Sequence, residues 1–410
     1  MSFDVARVQA DFPILKRQVH GKRLVYLDSA SSSQKPVAVL DAMDRLYRES
    51  YANVHRGVYA ISEEATAAYE GARARLAQFL GAGSPSEVVF TRNVTEAINL
   101  VAHSWARANL AAGDVIVLTE LEHHANIVPW HILAAERGVE VRWVPLTDEF
   151  RLDTSGLSQL LDGAKLFAFS AASNVLGTMN DVPALVEAAH AAGALALVDA
   201  AQFAPHRRLD VGAWNADFVG ITGHKMLGPT AIGALWARPE LLEAMPPFLG
   251  GGEMIRDVRR DGFTPNDVPW KFEAGTMPIA EAVGLGAAID YLEGIGMDAV
   301  AEHEIDLTAY ALRALDDRFG DRITIYGPRS IEQRGATISF NFAGIHAHDI
   351  SQVVDEHGVC VRAGHHCAKP LMQVLGVPAT TRASMYVYND EADVDALVEA
   401  LAAAERFFAI

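Results

Sequence analysis

From residue 85 to about residue 240 the chain alternates short β-rich runs with helix-like stretches, and this pattern constrains the fold more than any other feature. The runs cover residues 87–91, 115–119, 139–146, 166–170, 194–199, 218–222 and 231–237, with helix-like stretches at 95–109, 126–137 and 182–192 between them. Strands separated by helices predict βαβ units, and so a mostly parallel sheet covered by helices on both faces. In such α/β sheets ligands bind beyond the carboxyl ends of the strands. The polar residues that follow each run are therefore the first candidates for chemistry.

The pattern then changes. A stretch punctuated by Gly and Pro runs from Pro246 through Gly250, Gly251 and Gly252 to Pro278, and a helix is expected to begin near Ala280. Beyond about residue 290, helices mix with fewer strands, expected at 336–342, 359–363 and 382–388, and an amphipathic helix at 391–408 closes the chain. This reads as a large α/β domain over 21–285 and a smaller α+β domain over 286–410, with residues 1–20 packed on the latter. The 410 residues suffice for both cores, and 50% hydrophobic with 21% charged residues is a globular composition. Lys plus Arg total 34 against 52 Asp plus Glu, a formal charge of −18. That balance repels phosphate backbones and anionic lipid, so neither nucleic acid nor membrane is an expected partner. No apolar stretch approaches the roughly 18 residues of a membrane span, and the stretch Met1–Val8 lacks the apolar core of a secretory signal. The only cysteines, Cys360 and Cys367, lie in one short segment, which excludes a disulfide framework and predicts a reducing, cytoplasmic setting.

Five segments carry candidate chemistry. In Thr222-Gly223-His224-Lys225 an apolar strand ends in a lysine ahead of a Gly/Pro turn. Such a lysine loses solvation, which depresses its pKa and makes it an amine nucleophile suited to a Schiff base. A solvated lysine capping a strand explains the segment as well. The run 195–199 ends in Asp199, followed by Gln202; a buried acid needs a cationic partner, and a pyridinium nitrogen is one. A helix N-cap is the plainer reading. The transition Thr91-Arg92-Asn93-Val94-Thr95-Glu96 offers backbone N–H groups and the Thr95 hydroxyl at a helix start, a natural phosphate site or simply a capped helix. His123, in Glu122-His123-His124-Ala125-Asn126, can lie against a flat ring and shuttle protons. Its neighbour His124 raises the possibility of a metal, but no H-x₃-H spacing completes a zinc set. Finally, Cys367 leaves a strand through Arg362-Ala363-Gly364-His365-His366, with Lys369 following. That electropositive setting favours a thiolate, whereas Cys360 in an apolar alternation reads as a core residue. A zinc site built from His365, His366, Cys367, His346 and His348 is the competing reading. Arg382 is a candidate bidentate clamp for a carboxylate.

Taken together these segments resemble the fold-type I pyridoxal-phosphate enzymes of the class V aminotransferase family, and within it the cysteine desulfurases of the SufS type. The resemblance rests on Tyr26-Leu27-Asp28-Ser29-Ala30, Gln34-Lys35-Pro36, Val54-His55-Arg56-Gly57, residues 122–130, Ser173-Asn174-Val175-Leu176-Gly177, Gly223-His224-Lys225, Phe272-Glu273-Ala274-Gly275-Thr276, Arg362 to Cys367 and Arg382-Ala383-Ser384. It spans nearly the whole chain. It implies that Lys225 bonds the cofactor, that Asp199 meets the pyridine nitrogen and Gln202 the ring hydroxyl, and that His123 stacks on the ring. Thr95, Thr222 and His224 are implied at the phosphate, with Thr276 reaching the phosphate of a partner subunit in a homodimer. Asn174 and Arg382 are implied at the substrate carboxylate, and Arg362 near the thiol of Cys367.

The implied reaction converts L-cysteine to L-alanine and leaves a persulfide on Cys367, with a sulfur-accepting protein of the Suf iron–sulfur assembly machinery as partner. Three positions depart from the family pattern: Asn93-Val94 where Gly-Thr is common, Thr222 where Ser is common, and Ser31 where Ala is frequent beside the substrate pocket. A selenocysteine lyase would use the same cofactor site and depend less on Cys367. An aminotransferase or epimerase would give that thiol no role, and a zinc-binding scaffold would need no cofactor. No resident metal is expected.

Overall fold

The computed structural model describes residues 3–409. Seven strands form the central sheet: β1 (Val88–Thr91), β2 (Val115–Thr119), β3 (Glu140–Val144), β4 (Ala164–Ser170), β5 (Leu195–Asp199), β6 (Phe218–Thr222) and β7 (Gly233–Ala237). Their spatial order is β1-β7-β6-β5-β4-β2-β3. All neighbours pair in parallel except β7, which runs antiparallel to both β1 and β6. Six of these strands are buried along nearly their whole length, as expected of a sheet covered on both faces. Alternate residues feed two separate cores: Val117, Phe167, Phe169, Val198 and Ile221 point to one, and Ile116, Leu118, Ala168, Leu197 and Phe218 to the other. The period-two geometry of a strand produces this division directly.

The smaller α+β unit contains a four-stranded antiparallel sheet of β8 (Ile323–Tyr326), β9 (Thr337–Phe342), β10 (Arg362–Gly364) and β11 (Thr380–Ser384), in the order β8-β9-β11-β10. Helices Met297–Phe319, Ala347–Asp355 and Glu391–Phe407 cover it. The strand expected at 382–388 sits earlier, at Thr380–Ser384, because Asn389 folds the chain back: its side chain accepts the Tyr386 N–H and donates to the Tyr26 carbonyl. The division drawn at 285/286 falls inside one continuous helix, Ile279–Ile295. At the N-terminus, Val8 and Phe12 join the core that packs on the large sheet, while Val25 and Leu27 join the small-sheet core. Val25–Tyr26 also pairs in parallel with Val359–Cys360.

Other differences have local causes. The helix expected over 95–109 begins at Val94, and residues 101–106 form wider π-type turns. Helix Ala60–Phe79 escapes a periodicity reading because five of its eight buried positions are Ala, Ser or Arg rather than large apolar residues. The Gly/Pro-rich stretch hides a hairpin of Ile255–Arg259 and Gly262–Pro265, whose mostly exposed residues carry no core pattern. No helix among the described residues is long and apolar enough to cross a membrane.

One buried ion pair ties three of these pieces together. The Glu273 carboxylate accepts from Arg73 Nη1 (2.5 Å) and Nη2 (2.9 Å), from the Tyr69 hydroxyl (3.0 Å) and from the Phe90 N–H (2.7 Å). It thus joins helix 60–79, strand β1 and the loop before helix 279–295. Both charged side chains are buried, and although Arg73 also bonds Glu70 (2.8 Å), removing the Glu273 charge leaves the enclosed guanidinium under-compensated. Glu273→Gln is expected to lower the unfolding free energy by about 3 kcal/mol, which urea denaturation of the variant against the parent chain will measure.

Candidate active site

The parallel register of β4, β5 and β6 decides where the polar residues gather. Ser170 lies opposite Asp199, and Asp199 opposite Gly220, so three strands end side by side. Around this edge lies a cavity of about 270 Å³. Its lining includes Thr95, His123, Asn174, Asp199, Gln202, Thr222, His224, Lys225, Arg362, Cys367 and Arg382, together with Ala30, Ser31, Asn93, Ser170 and His366. Of the residues that the family resemblance assigns to the site, Thr276 alone lies outside this lining. It is exposed, and the neighbouring Gly275 N–H bonds the Gly252 carbonyl.

The electrostatics of the cavity follow from burial. Lys225 is enclosed, and desolvation lowers its amine from the usual lysine range to about 8. Asp199 is enclosed as well; burial raises its pKa, while the Ala201 N–H at 2.9 Å and the charge of Lys225 oppose the rise. Among the described residues it forms no ion pair. The Thr222 hydroxyl is buried without a hydrogen-bond partner among the described residues. His123 is pushed down to about 3 by burial, then by Lys225, His124, Arg382 and Arg362. It is therefore neutral at physiological pH. Its Nδ1 accepts the Ala125 N–H at 3.0 Å, which leaves the proton on Nε2. His224 is lowered to about 4 by burial and the two lysines 225 and 35.

Asn93 supplies the cap of the helix that starts at Val94: its side chain accepts the Glu96 N–H at 3.0 Å. The Val94 and Thr95 N–H groups in that first turn have no intrahelical acceptor. Gly233 lets this loop approach, since a Cβ there would lie 2.8 Å from Asn93 Cα and 2.6 Å from the Ile221 carbonyl.

The cysteine loop enters the cavity from the small unit. Gly364, His366 and Cys367 all have positive φ, at 128°, 51° and 55°, a conformation that costs a non-glycine residue about 1 kcal/mol. Hydrogen bonds from the large unit hold it. Asn174 Nδ2 donates to the His366 carbonyl (2.8 Å), and the His124 N–H to the Cys367 carbonyl (2.7 Å). Asn174 thus spends a side-chain donor on the loop, and Gln202 spends one on the Ala30 carbonyl at 2.7 Å. The histidines of the loop diverge: His366 Nε2 lies 2.9 Å from the Thr380 hydroxyl, and His365 Nδ1 accepts the Cys367 N–H. Among the described residues no three His, Cys, Asp or Glu side chains converge on a metal position.

Several residues of the site were given no role by sequence reasoning. Glu122, the fully buried neighbour of His123 in the chain, is pushed to about 7 by burial against hydrogen bonds from Thr119, Ser170 and Asn126. Lys35 Nζ and the Ser33 hydroxyl both donate to the His224 carbonyl (3.1 Å each), pinning the residue before Lys225. Ser31 and Asp28 contact Arg382. The signal for Glu122 and Ser170 was a polar residue ending an apolar run; for Lys35 and Ser33 no local signal exists.

A family profile described as "Aminotransferase class-V" matches residues 25–397. A probable cysteine desulfurase of Streptomyces coelicolor is 53% identical over 411 residues, covering 99% of this chain and 98% of that protein. An apo cysteine desulfurase structure from Thermococcus onnurineus superposes with a TM-score of 0.93 at 38% identity, covering 99% and 98% of the two chains. The Escherichia coli cysteine desulfurase CsdA superposes with a TM-score of 0.92 at 40% identity, covering 99% and 100%. A half-buried lysine and a buried carboxylate beyond adjacent strand ends, beside an unpartnered hydroxyl and a helix start, fit what this family asks of a pyridoxal-phosphate site. The chain belongs to the class V aminotransferase family.

Proposed function

We infer that this protein is a cysteine desulfurase that uses pyridoxal phosphate to convert L-cysteine to L-alanine and takes the sulfur on Cys367. The observation that carries the reading is one cavity holding both an enclosed lysine amine and a cysteine on a separate, strained loop. Pyridoxal phosphate, when bound, supplies an electron sink for the bonds at the substrate α-carbon. Every other part comes from the chain. Thr222, whose buried hydroxyl lacks a partner, is proposed to hold the phosphate with His224 and Thr95. Asp199 offers a buried negative charge to the ring nitrogen, Gln202 a donor to the ring hydroxyl, and the neutral His123 a face for the ring.

Lys225, with its amine near pH 8, keeps a neutral fraction that can attack as a nucleophile and take the α-proton. Arg382 and Asn174 are proposed to hold the substrate carboxylate, with Arg362 at the mouth. The Cys367 thiolate then attacks the substrate sulfur. An S–S bond forms, the Cβ–S bond breaks, its electron pair stays with carbon, and that fragment takes up a proton and leaves as alanine.

Further parts of the reading follow the family. Thr276, exposed and outside its own cavity, is proposed to complete the site of a second copy in a homodimer. A SufS-type role supplying iron–sulfur assembly, with a Suf-system protein accepting the persulfide sulfur, is proposed on the extent of the resemblance. The large unit would carry the cofactor residues and the small unit Cys367, Arg362 and Arg382. Two unbridged cysteines suit a reducing cytoplasm.

Purified protein should absorb visible light and be bleached by borohydride with covalent retention of the cofactor, and Lys225→Ala should retain none covalently; retention in that variant would overturn the assignment. Cys367→Ala should lose persulfide, and its alanine production from cysteine should fall at least 100-fold with a sulfur acceptor present, as a chromatographic alanine assay will show. If selenocysteine turnover survives in the same variant while cysteine turnover does not, the selenocysteine-lyase reading gains. The lowered amine pKa also sets a linkage. Between about pH 8 and the ordinary lysine value the unfolded chain binds the extra proton, so stability rises with pH across that window. Urea titrations of cofactor-free protein should show this rise, and Lys225→Met should lack its share of it.

A further inference from the structure

Arg362 and Arg382 lie directly opposite each other across the antiparallel pair β10 and β11. Like charges in that position repel; burial and Arg362 act against the charge of Arg382, while the Asp28 carboxylate supports it. One hydroxyl bonds both side chains. Ser31 Oγ accepts from Arg362 Nη1 (2.8 Å) and from Arg382 Nη2 (2.6 Å), and donates to Asp28 Oδ1 (2.6 Å). A serine hydroxyl has one proton and two lone pairs, so it is saturated by these three partners.

Local structure puts it there. The Ser31 N–H bonds the Asp28 carbonyl at 3.1 Å, closing a turn, and Asp28 bridges Ser384, two residues along β11 from Arg382. The two arginines differ in how they are held. Arg382 is buried, with Nη1 on the Asn174 carbonyl (2.9 Å) and Nη2 shared between Asp28 (3.0 Å) and Ser31. Its Nε–H has no partner among the described residues. Arg362 is exposed at the rim, and its one side-chain hydrogen bond among the described residues is to Ser31. Two guanidinium groups and Lys225 outnumber the carboxylates of Asp28 and Asp199, and both guanidinium groups lie on the Asp28 side, so the cavity mouth is set for an anion.

We propose that Ser31 is a positioning residue for substrate recognition: its hydroxyl yokes Arg362 to Arg382 so that both guanidinium groups meet the α-carboxylate of the amino acid. The inference rests on the amino-acid-binding part of the proposed function. Ser31 has no contact with the carboxylate itself, since its hydroxyl is already saturated. It contributes by fixing a long, otherwise untethered side chain before the ligand arrives, which is worth about five-fold in affinity at roughly 1 kcal/mol per immobilised side chain.

The test uses the holoenzyme, with Ser31→Ala made in the parent chain and in Arg362→Ala. KM and kcat for L-cysteine are measured, and calorimetry compares binding of L-alanine with L-alaninamide, which lacks the carboxylate. Ser31→Ala should raise KM about five-fold, more than it lowers kcat, and weaken L-alanine by the same factor while leaving L-alaninamide unmoved. In the Arg362→Ala background it should add nothing. Unchanged alanine affinity, equal losses for alanine and alaninamide, or a loss that persists without Arg362 would each overturn the proposal. A parent chain that binds alanine but makes neither alanine nor persulfide from cysteine would refute the desulfurase reading instead, and the alanine and alaninamide comparison would still judge Ser31.

Discussion

A lysine amine and an aspartate carboxylate are both enclosed at the ends of neighbouring strands, and much of the architecture exists to make that burial tolerable. Among the described residues neither group forms a direct ion pair, and desolvation opposes the charge on both. The parallel register of β5 and β6 brings them to the same edge. Small residues and short turns then close the floor, with Ser33 and Lys35 gripping the carbonyl that precedes Lys225. A site of this kind is costly in an empty protein and favourable once a cationic ring and a phosphate occupy it.

The second constraint is that the thiol must reach the same cavity without belonging to the same sheet. The small unit delivers it on a loop whose backbone is held in the left-handed region at two non-glycine residues. Carbonyl contacts to Asn174 and His124 compensate for the strain and tie the loop to the large unit. The same strands, β10 and β11, carry the two arginines at the mouth. On the proposed reading, sulfur acceptance and carboxylate recognition share one structural support.

Much of this was legible in the chain. Six of the seven central strands are long apolar runs, because a strand covered on both faces must be apolar throughout. Lys225, Asp199 and Thr222 stood out because a polar residue ends such a run, and the geometry of an α/β sheet sends those ends to one place. Helix 60–79 and the hairpin 255–265 were not legible, one because most of its buried positions are small or polar residues, the other because it is mostly exposed. The strand expected at 382–388 was misplaced because the turn at Asn389 depends on Tyr26, more than 350 residues away.

What the sequence determined by itself was the periodicity of the strands and the identity of the residues at their ends, since both are local properties. It also determined the company of Cys367, which neighbours in the chain supply. Only the tertiary structure decided which contacts those residues make. Ser31 shows the difference: in the chain it is a small polar residue in a turn, and in the fold its three hydrogen bonds join side chains from residues 28, 362 and 382. A hydroxyl's donors and acceptors are fixed by chemistry, but which partners satisfy them depends on segments that meet only when the two units pack.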